Sequence, residues 1–200
     1  ELKIGNSVKK IGDSAFSGCT GITGTLVIAD SVEEIGRSAF RNCTGITELK
    51  IGNSVKKIGD YAFVGTGITG TLVIPDSVEE IVGSAFSNCT GITELKIGNS
   101  VKEIGDCAFY GCTGITGTLV IPESVEYVVG SAFRNCTGIT ELKIGNSVKG
   151  IGNSAFSGCT DITELTIPDS VQIIGNQAFS GLYRLKTLNL GNGVKSIGEN

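Results

Sequence analysis

Apolar and polar residues alternate over three positions at regular intervals along the whole chain. A triplet of leucine, any residue, and isoleucine or an equivalent starts at Leu2, Leu26, Leu49, Leu72, Leu95, Leu119, Leu142, Leu165 and Leu188. Alternation with a period of two is typical of a short β-strand with one buried face. Each triplet therefore predicts one strand whose first and third residues face inward and whose central residue faces outward.

A second marker keeps the same spacing. Every phenylalanine follows an alanine, at Phe16, Phe40, Phe63, Phe86, Phe109, Phe133, Phe156 and Phe179. Successive phenylalanines are 23 or 24 residues apart. Two independent markers in step indicate tandem repeats. One such unit has too few apolar residues for its own core, so the pattern predicts a solenoid in which each unit buries its apolar edge on its neighbours.

Each unit holds further elements after its strand. In the unit at residues 95–116, Val101 and Ile104 predict a second extended segment with both side chains inward. Asp106 then predicts an N-cap for a single helical or 3-10 turn that carries Phe109.

Three units carry one extra residue at the start of the strand. A glycine occupies the extra position in each of them, at Gly24, Gly70 and Gly117. Glycine at a one-residue insertion predicts a β-bulge.

Outward residues alternate in type with a period of two units. The residue after the inward valine runs Lys9, Glu33, Lys56, Glu79, Lys102, Glu126, Lys149, Gln172 and Lys195. The residue before each strand runs Glu1, Thr25, Glu48, Thr71, Glu94, Thr118, Glu141 and Glu164. Since stacked strands lie about 4.8 Å apart, the first series predicts lysine directly beside glutamate.

The central residues of the strand triplets form the candidate binding face. They are Lys3, Val27, Lys50, Val73, Lys96, Val120, Lys143, Thr166 and Asn189. Repeat proteins present such a column as a continuous ribbon. A mixed lysine and valine ribbon suits an extended protein or glycan of modest charge, and a plain solvated face is the alternative.

The composition of the chain argues against several classes of function. The formal net charge is −4 and the sixteen basic residues are spread thinly, whereas nucleic-acid binding needs a concentrated basic stripe. The chain has no histidine, which is the commonest general base and neutral metal ligand. Since it has neither a run of about 18–20 apolar residues nor a signal peptide, we expect no membrane insertion in this segment. The chain begins at Glu1 and contains no methionine, so we expect a fragment or a processed product of a longer protein.

Six of the seven cysteines occupy one position of the unit. They are Cys19, Cys43, Cys89, Cys112, Cys136 and Cys159, and the series is interrupted in the unit of Phe63 and ends in Leu182. Leucine at the same position indicates an apolar filler, so we expect buried free thiols rather than disulfides. Zinc is not expected because no C-x-x-C pair or histidine accompanies them. Cys107 replaces a serine of other units, and we expect it to be the more accessible thiol.

Other motifs have ordinary structural explanations. Asn42, Asn88 and Asn135 begin N-C-T sequons, which indicate either glycosylation in a secreting eukaryote or turns next to a buried cysteine. A catalytic centre needs unlike groups at one place, whereas this chain repeats itself. We therefore expect neither an enzyme nor a cofactor. Residues that break the pattern, namely Tyr61, Val64, Tyr110, Tyr127, Tyr183 and Arg184, differ in unit position and predict no single aromatic patch.

The segments PDSVEEIVGSAFSNCTGIT and PDSVQIIGNQAFSGLYRL carry the pattern P-x-S-V-x-x-I-G-x-x-A-F-x-x-C. This pattern resembles the BspA-like, or treponemal-class, leucine-rich repeats, and the resemblance covers the whole chain. It implies a right-handed leucine-rich-repeat solenoid of the α/β horseshoe type, with short parallel strands on the concave face and the A-F-x-x-C turn on the convex side. The first-turn proline survives only at Pro75, Pro122 and Pro168, which affects turn stiffness more than the fold.

The resemblance also implies a function. Members are commonly surface proteins that mediate adhesion, so we expect a non-enzymatic binding module at a cell surface or outside the cell, with a protein or glycan ligand. The alternative is a structural spacer or self-assembling scaffold, including a synthetic or consensus array. We expect residues 1–200 to form one domain of about eight units without caps, and its uncapped ends predict end-to-end self-association.

Overall fold

The leucine triplets form the longer strands of the computed structural model, which describes residues 2–199. These strands are β2 (Gly24–Val27), β4 (Ile46–Lys50), β6 (Thr69–Val73), β8 (Gly91–Lys96), β10 (Gly117–Ile121), β12 (Ile139–Ile144), β14 (Glu164–Ile167) and β16 (Thr187–Leu190). The first triplet contributes one parallel bridge between Lys3 and Val27. Glu1, the predicted first residue of the Glu/Thr series, lies outside the described residues.

The second extended segment of each unit forms a two-residue strand. These strands are β1 (Lys10–Ile11), β3 (Glu34–Ile35), β5 (Lys57–Ile58), β7 (Glu80–Ile81), β9 (Glu103–Ile104), β11 (Tyr127–Val128), β13 (Gly150–Ile151), β15 (Ile173–Ile174) and β17 (Ser196–Ile197). They pair in parallel, each with the next unit, into one nine-stranded sheet. The predicted solenoid of parallel strands is therefore confirmed.

The longer strands form three separate sheets rather than one. The sheets are β2-β4, β6-β8 and β10-β12-β14-β16. The register shifts at Gly24, Gly70 and Gly117, where φ is 78°, 74° and 74°. Glycine adopts this left-handed conformation without a Cβ clash, so the predicted bulges are confirmed.

The predicted helical turn is wrong, and with it the helical part of the α/β horseshoe. The segment around each Ala-Phe pair is a series of turns, and residues 2–199 contain no helix. The residue two before each phenylalanine has a positive φ, as at Cys107 (56°), which cannot continue a right-handed helix. Alternate backbone N–H groups of this segment donate to the next unit instead, as Phe86 does to the carbonyl of Ala108 at 2.8 Å. The N–H groups between them close tight turns within the unit, as Ser87 does with the carbonyl of Ser84 at 3.1 Å.

The phenylalanines form a continuous stack through the core. Neighbouring ring centroids lie between 5.1 and 5.6 Å apart, and the ring planes differ by at most 10°. The six internal rings are fully buried, whereas Phe16 and Phe179 at the two ends are partly exposed. The rings therefore share one interior, as the stacking of units requires.

The sequon asparagines occupy left-handed turn positions. Asn42, Asn88 and Asn135 have φ between 58° and 62°, and glycine holds the same position in the other units. The side chain of Asn42 reaches the next unit, where a Cβ at Gly65 would lie 2.6 Å from its Oδ1. Both residues tolerate this backbone, and glycine beside asparagine leaves the neighbouring amide in place, whereas a Cβ would make it turn away.

The predicted lysine–glutamate neighbours are confirmed. Nζ of Lys9 lies 2.9 Å from a carboxylate oxygen of Glu33, and Lys56 lies 3.3 Å from Glu79. All four side chains are more than half exposed, so each pair contributes only about 0–1 kcal/mol to stability.

Five of the six cysteines of the series lie in the core beside the phenylalanine stack, whereas the predicted burial of Cys19 is wrong, because its unit is the first of the stack and leaves it partly exposed. Cys43, Cys89, Cys112, Cys136 and Cys159 are buried, and each thiol donates to the carbonyl of a phenylalanine in the previous unit. Thr66 takes the position in the unit that lacks cysteine. Burial raises the pKa of Cys89 to about 11 and that of Cys159 to about 12, and it raises the pKa of Cys43, Cys112 and Cys136. These thiols therefore stay protonated and unreactive at neutral pH.

Cys19 and Cys107 are expected to react with a thiol reagent well before the other five cysteines, because only these two are partly exposed. Burial, followed by the carboxylate of Asp106, raises the pKa of Cys107, so its labelling rate should still increase above about pH 8.5. Counting modified thiols against time by mass spectrometry checks this. Cys107→Ser should leave one fast thiol. Rapid modification of a third cysteine in the folded protein would contradict the burial.

Candidate ligand-binding strand face

The strand ribbon consists of the nine candidate residues named above, from Lys3 to Asn189. The structure brings all nine to the exposed face of the longer strands, while the flanking triplet leucines from Leu26 to Leu165 are buried. Val27 is in register with Lys50, Val73 with Lys96, and Val120 with Lys143. The sequence therefore predicted the alignment, and the binding role remains a prediction.

A threonine, a glutamate and a lysine form a repeated polar network beside the valines. In the central copy, the Thr71 hydroxyl donates to Oε2 of Glu94 at 2.8 Å, and Nζ of Lys96 lies 3.2 Å from Oε1 of the same carboxylate. The same network joins Thr25, Glu48 and Lys50, and also Thr118, Glu141 and Lys143. Three equivalent polar sites therefore recur along the ribbon.

The network fixes the charge state of its glutamates. Hydrogen bonds from Thr25, Thr71 and Thr118, followed by the adjacent lysines, lower the pKa of Glu48, Glu94 and Glu141. Each glutamate therefore stays ionised and holds its lysine over the strand. The arrangement can donate and accept hydrogen bonds at fixed positions.

The valines provide the apolar part of the ribbon. Val27, Val73 and Val120 are each about half exposed, at 50%, 49% and 49%. Each lies between the lysine-bearing strands of the neighbouring units. The ribbon thus offers apolar contacts and, beside them, polar groups at fixed positions, and both kinds of contact occur in ligand-binding sites.

Sequence reasoning missed a second exposed surface on the nine-stranded sheet. Tyr127, Gly150 and Ile173 are in register on β11, β13 and β15, and Tyr127 and Ile173 are 46% and 58% exposed. Tyr127 stands out in the sequence as a break in the pattern, but the comparison of aromatic residues predicts no patch around it. The sequence signal for this surface is the series of residues that directly follow those of the Lys/Glu series.

Residues 2–199 present neither a metal-binding cluster nor a membrane-spanning helix. No group of three or more cysteine, aspartate or glutamate side chains in this part of the chain could hold a metal ion. None of the described residues belongs to a helix long and apolar enough to cross a membrane.

Comparison with known proteins supports the fold. A family model of BspA-type leucine-rich repeat regions matches residues 1–116 and 116–200 with six copies. A leucine-rich repeat protein from Bacteroides ovatus is 23% identical, with a TM-score of 0.61 over 96% of this chain and 67% of that one. The Treponema pallidum leucine-rich repeat protein is 23% identical, with a TM-score of 0.62 over 90% and 72%.

A third similar structure is the pneumococcal vaccine antigen PcpA. It is 22% identical, with a TM-score of 0.58 over 96% of this chain and 57% of PcpA. No curated protein matches the sequence significantly. The chain thus shares the leucine-rich repeat fold with these proteins and spans only part of each.

Proposed function

The chain belongs to the BspA-type leucine-rich repeat family, and from this premise we propose that it is a non-enzymatic binding module of a cell-surface or secreted protein. Its ligand is an extended protein or glycan that lies along the strand ribbon. In this proposal the ribbon is the concave side of a right-handed solenoid, so that the ligand contacts several units at once. The vaccine-antigen description of PcpA is compatible with exposure at a surface.

The observation that carries the proposal is the threefold repetition of one mixed site. Each copy places a half-exposed valine beside a threonine, a glutamate and a lysine that are held by hydrogen bonds and an ion pair. A ligand that contacts all three copies gains affinity from three weak contacts in one chain. Side chains that are already held in place also lose less conformational entropy on binding.

The proposal is tested with two triple variants that differ only in the face they change. The ribbon variant replaces Lys50, Lys96 and Lys143 with serine. The control variant replaces Lys56, Lys102 and Lys149 with serine, and so removes the same charge from the other lysine series. Both are applied to an immobilised panel of extracellular-matrix proteins and glycans. Because three contacts are lost together, the ribbon variant should bind at least about tenfold more weakly to any ligand of the unchanged protein.

The control variant should bind as the unchanged protein does, and circular dichroism should show both variants folded. A further variant, Val27, Val73 and Val120→Thr, should weaken binding without a change of charge. Equal binding by the ribbon and control variants would reject the ribbon as the site.

A structural spacer is the second candidate function. It is favoured by the salt bridges that neutralise many of the exposed charges, such as Lys57 with Glu80 at 2.7 Å. A spacer should bind no member of the panel, and end-to-end association would then appear as mass that rises with concentration in sedimentation.

A further inference from the structure

Two neighbouring series of exposed residues along the nine-stranded sheet follow different charge patterns. Each series, here called a column, takes the residue at one unit position from every successive unit. The first column is the residue after the inward valine, and its charges still alternate at Lys102, Glu126 and Lys149, before an uncharged Gln172 and then Lys195. The second column is the first residue of each short strand and runs Lys10, Glu34, Lys57, Glu80, Glu103, Tyr127, Gly150, Ile173 and Ser196. The alternation of lysine and glutamate in this second column stops after Glu80. The first column serves as an internal control in the units of Glu103, Tyr127 and Gly150, where it keeps its alternation, so general sequence drift does not explain the change there.

Three of the changed positions, Tyr127, Gly150 and Ile173, lie side by side in register and form an apolar surface. A Cβ at Gly150 would lie 3.2 Å from Cδ1 and 3.5 Å from Cε1 of Tyr127, so the tyrosine ring extends over the glycine of the next unit. Ile173 is the register partner of Gly150 on the far side and is 58% exposed. A lysine at position 150, which the alternation would place there, would meet this ring. Tyrosine with an open face is a frequent anchor in protein interfaces.

The column is acidic immediately before this apolar surface. Glu80 and Glu103 are direct register partners, and like charges placed opposite each other destabilise a sheet. Both line a shallow depression with Asp60 and Asp106, in which Lys57 is the one basic residue among the described lining residues. The depression reaches Val129, two residues beyond Tyr127. An acidic end and an apolar end therefore adjoin on one face.

We propose that the face from Glu80 to Ile173, here called the acidic–apolar face, docks an extended segment of a partner protein. That segment carries a basic residue followed by apolar residues at the next two alternate positions. The basic residue pairs with Glu103, because Glu80 already pairs with Lys57 at 2.7 Å. The apolar residues pack on Tyr127 and Ile173. This surface is separate from the strand ribbon, and the proposal does not depend on the ribbon's function.

The dimensions fit such a segment. Glu103 and Ile173 are three units apart, which corresponds to about 14 Å at a strand spacing of about 4.8 Å. Residues one and five of an extended peptide are about 13 Å apart, with side chains one, three and five on the same side. The charge order fixes which end of the segment lies at the depression.

The experiment uses the acetylated, amidated peptide Arg-Ser-Leu-Ser-Phe and isotope-labelled protein. We expect amide shifts to change at Glu103, Tyr127, Gly150 and Ile173, and the affinity to fall as salt is added. The same peptide with glutamate in place of arginine should bind at least about tenfold more weakly, because it meets a like charge.

The decisive variant restores the repeat pattern with Glu103→Lys, Tyr127→Glu, Gly150→Lys and Ile173→Glu. It should fold with a melting temperature at least equal to that of the unchanged protein, because it replaces exposed apolar side chains and a like-charge contact by ion pairs. Peptide binding should fall at least about tenfold, since a tyrosine anchor is lost. The ribbon variant described above should bind the peptide normally.

Three results would overturn the proposal: no shift on adding the peptide, shifts that map elsewhere, or equal binding by the pattern-restored variant. None of these results bears on the ribbon, because the pattern-restored variant retains every ribbon residue. Conversely, a ribbon that binds nothing leaves the peptide result unaffected.

Discussion

Replacing Phe86 with alanine is expected to lower the free energy of unfolding by about 3–5 kcal/mol. The Phe86 ring is fully buried and stacks on a ring in each neighbouring unit, with centroids at 5.1 Å to Phe63 and 5.4 Å to Phe109. Its removal leaves a cavity between units whose backbones are held together by hydrogen bonds, so the site cannot collapse around the gap. In a solenoid, the loss also weakens both interfaces that the unit makes.

Denaturant unfolding followed by circular dichroism measures this effect. Phe16→Ala is the matched control, because Phe16 is partly exposed and stacks only on Phe40 among the described rings. We expect it to cost less than half as much as Phe86→Ala. Similar losses for the two variants would show that the stack contributes no more at the centre than at its end.

Replacing Gly98 with alanine is expected to have the second-largest effect, a loss of about 1–3 kcal/mol or more from overpacking. A Cβ at this position would lie 2.4 Å from the carbonyl oxygen of Pro75 and 2.7 Å from the backbone nitrogen of Asp76. Both atoms belong to the backbone of the preceding unit and cannot rotate away. The two units must therefore separate locally to admit one methyl group.

Gly5 provides the control, because it occupies the same unit position and a Cβ added there would have no atom within 4 Å. Gly5→Ala should leave stability nearly unchanged, and the difference between the two variants measures the contact between units. Hydrogen exchange should show the greatest loss of protection near Pro75 and Gly98. Equal stability of the two variants would mean that the units pack less closely than the structure indicates.

Sequence periodicity predicted the features that depend on burial. The leucine triplets, the inward Val101 and Ile104 and the bulges at the inserted glycines all follow from one rule, that equivalent residues of successive units meet the same neighbours. The pairing of Lys9 with Glu33 follows from the same rule. These predictions needed no knowledge of the backbone between the strands.

The turn around each Ala-Phe pair could not be predicted in the same way. Asp106 followed by an apolar pair favours a helix N-terminus locally, yet Cys107 adopts φ 56° and Phe86 donates its N–H to the next unit. Hydrogen bonds between units alternate with those of local turns, and together they take the place of helical hydrogen bonds. This exchange depends on the distance between stacked backbones, which the residue types do not encode directly.

The candidate sites were predictable to different degrees. The strand ribbon follows from the alternation of Lys50 with Val73, although the hydrogen bond between Thr71 and Glu94 required side-chain positions. A comparison of Tyr127 with the other aromatic residues of the chain does not predict the acidic–apolar face, because those residues occupy different positions in their units. It becomes visible in the sequence only when Tyr127 is compared with Glu103 and Ile173 of its own column, where the alternation of charge ends.

The alternation of asparagine and glycine at the phenylalanine turns favours changes in the number of units by pairs rather than by single units. Deleting the single unit between Asn42 and Asn88 would make these residues neighbours and force a Cβ to within about 2.6 Å of the Asn42 amide, as at Gly65. Deleting two units restores the original neighbours. Unequal recombination should therefore keep this fit of asparagine against glycine only when whole pairs of units are gained or lost, which changes the length of the array by steps of about 10 Å.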